Sequence, residues 1–373
     1  MRIAIDANVL DASWGGIPKY VDRIVRELLR MGDEVDLLAN TRHLSRSIEG
    51  AHEVGVRVKG RPVWREVFVP LWLARRRPDV LWAPESVLPR TLPVPAVVTV
   101  HDLATLRFVG TKPAREERRF RRIVRRSAIR ATRTIAVSQT TAEDMRDLWG
   151  FNLEHVRVVP NGVDEMFQAG DRAAARKAVN ARWGINAPFV LHVGSLEPRK
   201  GLDVLIDAAV RSRTEGGRWR VVLAGSSPGP TGRMLAEKAR SSGVCDLLGP
   251  VAEAELVDLY RSADVFAAPA LYEGFGIAPL EAMASATPVV IAAGSGGLEE
   301  ISGPGAIVVQ ERTAEAWQIS IEAAMKRPAE LLERGATLAR RFRWPAVAAE
   351  TREVLAEAAS GAVKGSRPDR TPS

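Results

Sequence analysis

Glu273-Gly-Phe-Gly-Ile-Ala-Pro-Leu-Glu281 sets a carboxylate at either end of a glycine turn that runs into a proline. Proline is tolerated only in the first turn of a helix, so Pro279 fixes a helix start near Ile277 and puts Glu281 within about one turn of it. Upstream, Ala263-Asp-Val-Phe-Ala-Ala-Pro269 reads as a buried apolar strand. Glu273 then lies in the loop beyond its carboxyl end, where open α/β sheets bind ligands. The free N–H groups of the helix start (Gly274, Phe275, Gly276, Ile277) favour an anion, whereas Glu273 and Glu281 would repel one and suit hydroxyl groups. A nucleotide sugar carries hydroxyls on both sides of a diphosphate and meets both demands. The plainer reading of the same residues is a dipole-complementing acid at Glu281 and a solvated loop charge at Glu273.

A second anion-favouring feature precedes it. Phe189-Val-Leu-His-Val-Gly-Ser-Leu-Glu-Pro-Arg-Lys-Gly201 is a strand, a glycine turn and a basic loop leading into a helix over Leu202–Arg213. Arg199 and Lys200 thereby fall at the carboxyl end of a strand, where a guanidinium fork and an ammonium suit the charges of a diphosphate. Alone they would read as a surface pair; two such features on one sheet edge read as a site.

Outward from these motifs, strands are expected at Arg2–Ala7, Glu34–Ala39, Val54–Lys59, Val80–Ala83, Ala96–His101, Thr134–Ser138 and Val156–Pro160. Helices fill Pro18–Met31, Trp64–Arg77, Ala114–Thr132 and Thr140–Leu148 between them. After an Ala/Arg-rich helix over Asp171–Trp183, a second strand series begins at Phe189 and continues through Trp219–Ala224, Asp246–Leu248, Val265–Ala268, Val289–Ala292 and Ala306–Val309. Such alternation marks parallel sheets covered on both faces. The expected organisation is a first domain over 1–168, a second over 169–344, a helix over 345–360 that crosses back to the first domain, and a disordered Lys/Arg/Pro/Ser-rich tail over 361–373. Trp14-Gly-Gly-Ile-Pro18 follows the first strand, so Gly15 and Gly16 could let backbone approach a ligand. His101-Asp102 ends a strand at the carboxyl edge; it is either a capping arrangement or part of the site.

At 373 residues with 46% hydrophobic content, the chain can bury the cores of two domains. The one cysteine, Cys245, excludes an internal disulfide and fits a reducing compartment. Met1-Arg-Ile-Ala-Ile-Asp6 reads directly as a strand, and no apolar run approaches the roughly eighteen residues of a membrane span. A cytoplasmic protein is expected, at most resting on the inner face of the membrane. The net charge of +8 is matched by one segment, Lys112 to Arg133, which holds ten basic residues against Glu116 and Glu117. Phe120, Ile123, Val124, Ser127, Ala128 and Ala131 recur there at helical spacing. An amphipathic cationic helix can bind an anionic lipid surface or an anionic acceptor, or simply present a solvated face. The segment lacks interleaved aromatics apart from Phe120, which argues against nucleic acid as a partner, and neither strand series opens with the glycine fingerprint of dinucleotide oxidoreductases.

Together the Glu273–Glu281 motif, Val193-Gly-Ser-Leu-Glu-Pro-Arg-Lys-Gly201, Val159-Pro-Asn-Gly-Val-Asp164 and Val137-Ser138 resemble the retaining GT-B glycosyltransferases of family 4, over about Met1 to Trp344. The resemblance implies two doubly wound Rossmann-like α/β domains of parallel sheet facing an interdomain cleft. It implies that Glu281 holds the donor ribose, Glu273 the transferred sugar and Arg199 and Lys200 the diphosphate. His101 would line the donor-sugar pocket, and Gly15 and Gly16 would close near the phosphates. Many members carry Gly-Arg where this chain has Gly194-Ser195, a form similar to bacterial mannosyl- and rhamnosyltransferases of polysaccharide assembly. The implied reaction moves a sugar, mannose from GDP-mannose, to a hydroxyl acceptor, either a lipid-linked glycan or a soluble metabolite, with retention and with no metal or other cofactor. A nucleotide-sugar epimerase or hydrolase of the same fold is the nearest alternative.

Overall fold

The computed structural model describes residues 1–11, 15–107 and 114–361, with the backbone alone at 105, 114 and 116. Trp14, Lys112 and the tail expected over 361–373, beyond Gly361, lie outside the described residues, as does the side chain of Glu116. The chain forms two compact units: Met1–Gly162 together with the chain from Trp344 onward, and Val163–Arg343. The crossings fall at Gly162/Val163 and Arg343/Trp344, against expected boundaries at 168/169 and 344/345.

The first unit is built on seven parallel strands: β1 (Arg2–Asp6), β2 (Glu34–Ala39), β3 (His52–Gly55), β4 (Val80–Ala83), β5 (Ala96–Val100), β6 (Arg133–Ala136) and β7 (Val156–Val158), in the order β3-β2-β1-β4-β5-β6-β7. Because side chains alternate along a strand, Ile3 and Ile5 of β1 face one core and Ala4 faces another. The first core is closed by helices Gly16–Arg30 and Trp344–Ala359, the second by Val69–Arg76, Ala114–Arg130 and Gln139–Trp149.

Two elements depart from the sequence reading. β3 covers His52–Gly55, not Val54–Lys59, because its partner β2 stops pairing at Ala39–Gly55 and the Asn40 side chain then takes the Val58 N–H at 2.7 Å. The helix expected over Trp64–Arg77 begins at Arg61 and widens into a π-helical turn over Trp64–Phe68 before Val69–Arg76. Pro70, which has no N–H to continue the α ladder, sits just beyond that turn. The last helix starts at Trp344, with Pro345 inside its first turn, where a missing N–H costs nothing.

The second unit has six parallel strands: β8 (Phe189–Val193), β9 (Arg220–Ala224), β10 (Cys245–Gly249), β11 (Val265–Ala268), β12 (Val289–Ala292) and β13 (Ile307–Val309), in the order β10-β9-β8-β11-β12-β13. Helices Leu202–Thr214, Gly229–Ser241 and Ala314–Met325 pack on the face bearing Val190, Val221, Val265 and Val290. The order reverses between β8 and β11, so the chain leaves those two strands in opposite lateral directions and opens a crevice at their carboxyl ends.

Helix Ala114–Arg130 buries Val124, Ser127 and Ala128 and turns seven arginines (115, 118, 119, 121, 122, 125 and 130) outward. Among the described residues no helix is long and apolar enough to cross a membrane.

Candidate active site

At the switch point of the second sheet, β8 ends at Val193 and the chain turns at Gly194, whose φ of +153° is open to glycine. A single 3-10 turn, Pro198–Lys200, then carries the two cations, and Gly201, left-handed at φ +65°, starts helix Leu202–Thr214. A Cβ on Gly201 would lie 2.1 Å from the Pro269 carbonyl oxygen, and the Leu271 N–H donates to the Arg199 carbonyl at 2.8 Å. The basic loop after β8 is therefore pinned to the loop after β11.

That pinning brings Arg199, Lys200 and Glu273 together. Arg199 Nη1 donates to Glu273 Oε2 at 3.0 Å, Lys200 Nζ to Glu273 Oε1, and Arg199 Nε to Glu197 Oε2 at 2.8 Å. Burial favours a neutral Glu273, but Lys200 and Arg199 outweigh it and hold the carboxyl below its ordinary range. The sequence reading kept Glu273 for hydroxyls and the cations for phosphate; the structure pairs them with one another. Any anion arriving at Arg199 and Lys200 competes with this carboxylate.

Gly276, left-handed at φ +82°, immediately precedes helix Ile277–Ala284, and a Cβ there would lie 2.7 Å from Leu298 Cδ1. The helix N-cap, Gly276, has no side chain to cap the start. The first amides of a helix are the donors that its dipole aims at negative charge. The Phe275 ring is 3% exposed and packs edge-on against Phe342 at 5.8 Å, which shapes the turn and leaves its backbone N–H as the group assigned to the donor. Glu281 is 5% exposed and accepts a hydrogen bond from Tyr260 Oη at 2.8 Å. Burial first, then the adjacent Glu281 carboxylate, pushes the Tyr260 phenol well above its usual range, so it stays a donor. Tyr260 lies on helix Glu253–Ser262 and carries no motif that sequence reasoning could have seized on.

Gly15, Gly16 and His101 belong to the first unit. Gly15, at φ +142°, precedes helix Gly16–Arg30, whose start also lacks a side-chain cap; a Cβ on Gly16 would meet nothing within 4 Å. His101 follows β5, with its ring edge-on to Tyr20 at 4.9 Å and Nε2 at 3.0 Å from the Pro84 carbonyl oxygen. A carbonyl only accepts, so Nε2 carries the proton and Nδ1 is bare in the neutral ring. Burial drives the imidazole down to about 4, against the opposing pull of that hydrogen bond. Asp102 accepts from the Ala104 N–H at 3.1 Å and Ser138 from the Thr141 N–H at 3.0 Å; both are helix caps. Asp6, after β1, is pushed up to about 6, by burial first, with Asn8 opposing and Glu85 reinforcing.

His192 is the buried group that the sequence reading passed over. It is 2% exposed, stacked on Phe266 at 6.3 Å, and its Nδ1 lies 2.9 Å from the Ala267 carbonyl oxygen. The available signal was a polar residue at an inward position of an otherwise apolar strand, Phe-Val-Leu-His-Val.

Two Rossmann-like parallel sheets, the second with a cationic loop and a glycine-started helix at its switch point, are the architecture of the GT-B class. The model for glycosyl transferases group 1 matches residues 176–342, and that for glycosyltransferase family 4 matches residues 14–167. The D-inositol 3-phosphate glycosyltransferase of Xylanimonas cellulosilytica is 33% identical over 77% of this chain and 69% of its own length; that of Kineococcus radiotolerans is 34% identical over 71% and 66%. The matched stretch thus spans about two thirds of these relatives. The chain belongs to the group 1 glycosyltransferase family. In fold it is similar to sucrose-phosphate synthase from Thermosynechococcus elongatus (TM-score 0.78, 19% identity, 95% of this chain and 98% of that one). It is likewise similar to a glycosyltransferase of Anabaena solved with UDP-glucose (TM-score 0.74, 18% identity, 96% and 100%).

Proposed function

We propose that the protein transfers a glycosyl group from a nucleoside diphosphate sugar to a hydroxyl acceptor with retention at the anomeric carbon. The observation that carries this reading is the convergence of Arg199 and Lys200 on Glu273, beside the start of helix Ile277–Ala284 at the β8/β11 switch point. The diphosphate takes the two cations and the helix amides, and Glu273, released by the exchange, accepts from sugar hydroxyls. Glu281, oriented by Tyr260, accepts from the ribose. His101, Gly15 and Gly16 of the first unit enter this reading through the family resemblance alone. On the acceptor's approach its oxygen bonds to the anomeric carbon on the face the diphosphate leaves, and the acceptor proton passes to the departing phosphate oxygen. Arg199, Lys200 and the helix start stabilise the charge that builds there, so no metal or other cofactor is assigned. Among the described residues, no three His, Cys, Asp or Glu side chains cluster as metal ligands would.

The donor reading is mannose from GDP-mannose, supported by the Gly194-Ser195 form of the turn. The acceptor reading is a lipid-linked glycan at the inner membrane face, supported by the seven outward arginines of helix Ala114–Arg130. A second acceptor reading, a soluble polyol phosphate, is favoured by the inositol phosphate relatives.

Transfer is measured with GDP-mannose, UDP-glucose and a dTDP-sugar against both acceptor classes, with and without anionic vesicles. Lys200→Ala and Glu281→Gln are expected to keep the fold and to lower transfer by about a hundredfold or more. Unchanged turnover in both variants would sink the site assignment. Free sugar appearing at equal rate without acceptor would instead favour the hydrolase alternative.

A further inference from the structure

His192 lies under the turn that joins β8 to the basic loop, and none of the steps above uses it. Its Nδ1–H donates to the Ala267 carbonyl oxygen, so the neutral ring leaves Nε2 as a bare lone pair. That nitrogen is buried and has no hydrogen-bond partner, a costly arrangement unless a donor reaches it at some stage of the cycle. Nε2 is aimed at Gly194. A Cβ there would lie 3.3 Å from His192 Nε2, 3.7 Å from Lys200 Nζ and 3.8 Å from Lys200 Cε. One gap, kept open by the missing side chain of Gly194, is thus bordered by an acceptor without a donor and by an ammonium with three N–H groups. Glu273 Oε1 engages that ammonium.

Resting on the donor reading above, we propose that His192 is a positioning residue for Lys200: when the diphosphate draws Lys200 off Glu273, the Nε2 lone pair takes one ammonium N–H across the Gly194 gap and aims the others at the phosphate. Two features besides the distances support this. The ring is clamped by the Ala267 bond and the Phe266 stack, so its lone pair has a fixed direction. Burial holds the imidazole at about 4, the Ala267 bond opposing and Lys200 adding to the effect, so it is neutral and accepting at working pH. A buried imidazole accepts from a cation without neutralising it, leaving the positive charge for the phosphate, whereas a carboxylate at this position would compete for it.

The test uses the full chain, with GDP, UDP and dTDP as probes and calorimetric Kd as readout, on variants whose melting curves stay cooperative. His192→Asn places an amide N–H near the position of Nδ1 but does not reach that of Nε2; His192→Gln supplies an acceptor near Nε2. His192→Asn is expected to weaken the tightest probe about tenfold, His192→Gln to recover most of that loss, and His192→Asn to add less than about twofold in a Lys200→Met background. Equal behaviour of the Asn and Gln variants overturns the proposal, as does an Asn effect that persists in full without Lys200. Lys200→Met binding all three probes as tightly as the unmodified chain overturns the donor reading and this inference with it. Impaired Lys200→Met with an additive His192→Asn overturns this inference alone. In 15N-histidine spectra, His192 is expected as the Nδ1–H tautomer, with its Nε2 resonance shifting upfield on GDP addition; an Nε2–H tautomer is the contrary result.

Discussion

His101, His192 and Asp6 are tuned by burial more than by their immediate charges, whereas Glu273 is held by its two cations. His101 and His192 both sit near 4, against an ordinary value of 6.5. Between about pH 6.5 and 4 the unfolded chain binds protons that the folded chain refuses, so their contribution to stability is full above about 6.5 and is lost as pH falls through 4. For the fully enclosed His192 the loss is about 3 kcal/mol. Asp6 works in the opposite sense: raised to about 6, it stabilises the fold at low pH and ceases to as pH rises through 6. The two imidazoles, with Glu273 and Glu357 held low, act against the raised Asp6 and Glu350, so acidification across this window is expected to lower the urea midpoint, and His192→Phe to make the decline shallower. A midpoint that is flat from pH 6.5 to 4.5 would show that these rings are free to protonate in the native state.

At the level of elements, the site depends on loops held at a fixed height over the sheet. Gly201 is where that is enforced, since its left-handed φ and its approach to the Pro269 carbonyl allow no side chain. Gly184, the left-handed cap of helix Arg172–Trp183, has φ +70° but open space around its Cβ position. Gly184→Ala is expected to cost about 1 kcal/mol, the backbone term alone. Gly201→Ala adds overpacking against a main-chain oxygen, for about 2–4 kcal/mol in all, together with weakened nucleotide binding. Denaturation midpoints for the pair separate the two effects, and equal losses would mean that the Pro269 loop yields without cost. The strands and this helix start were readable beforehand because β-branched runs and Pro279 act locally. The end of β3 was not: it is set by where β2 stops, and by an Asn40 side chain that intercepts the Val58 N–H.

At the scale of the whole molecule, the chain's last helix belongs to its first unit. Trp344, Val347, Val354 and Leu355 are buried in the same core as Tyr20, Ile24 and Trp82. Arg352 reaches Asp33 at 2.7 Å, and Glu357 accepts from Arg133 at 3.0 Å. Gly162 is in contact with Trp344, since a Cβ there would lie 2.5 Å from the indole. Trp344→Ala is therefore expected to cost about 3–5 kcal/mol. Hydrogen exchange should show protection falling across Arg2–Val158 and persisting across Phe189–Val309; a uniform loss over both sheets would contradict the division into units.

The α/β class, the two strand series, the basic loop and the glycine–proline helix start were legible from local pattern, because each depends on residues within a few positions of one another. Folding was needed to reveal that Glu273 is shared by Arg199 and Lys200, that Tyr260 holds Glu281, that the Phe275 ring packs on Phe342, and that His192 points a lone pair at Gly194. The first three join residues tens of positions apart, and the last depends on the bond to Ala267, 75 positions on, that sets the ring. They exist because parallel strands require crossovers, and the crossovers of a doubly wound sheet gather at one edge loops that share no local pattern.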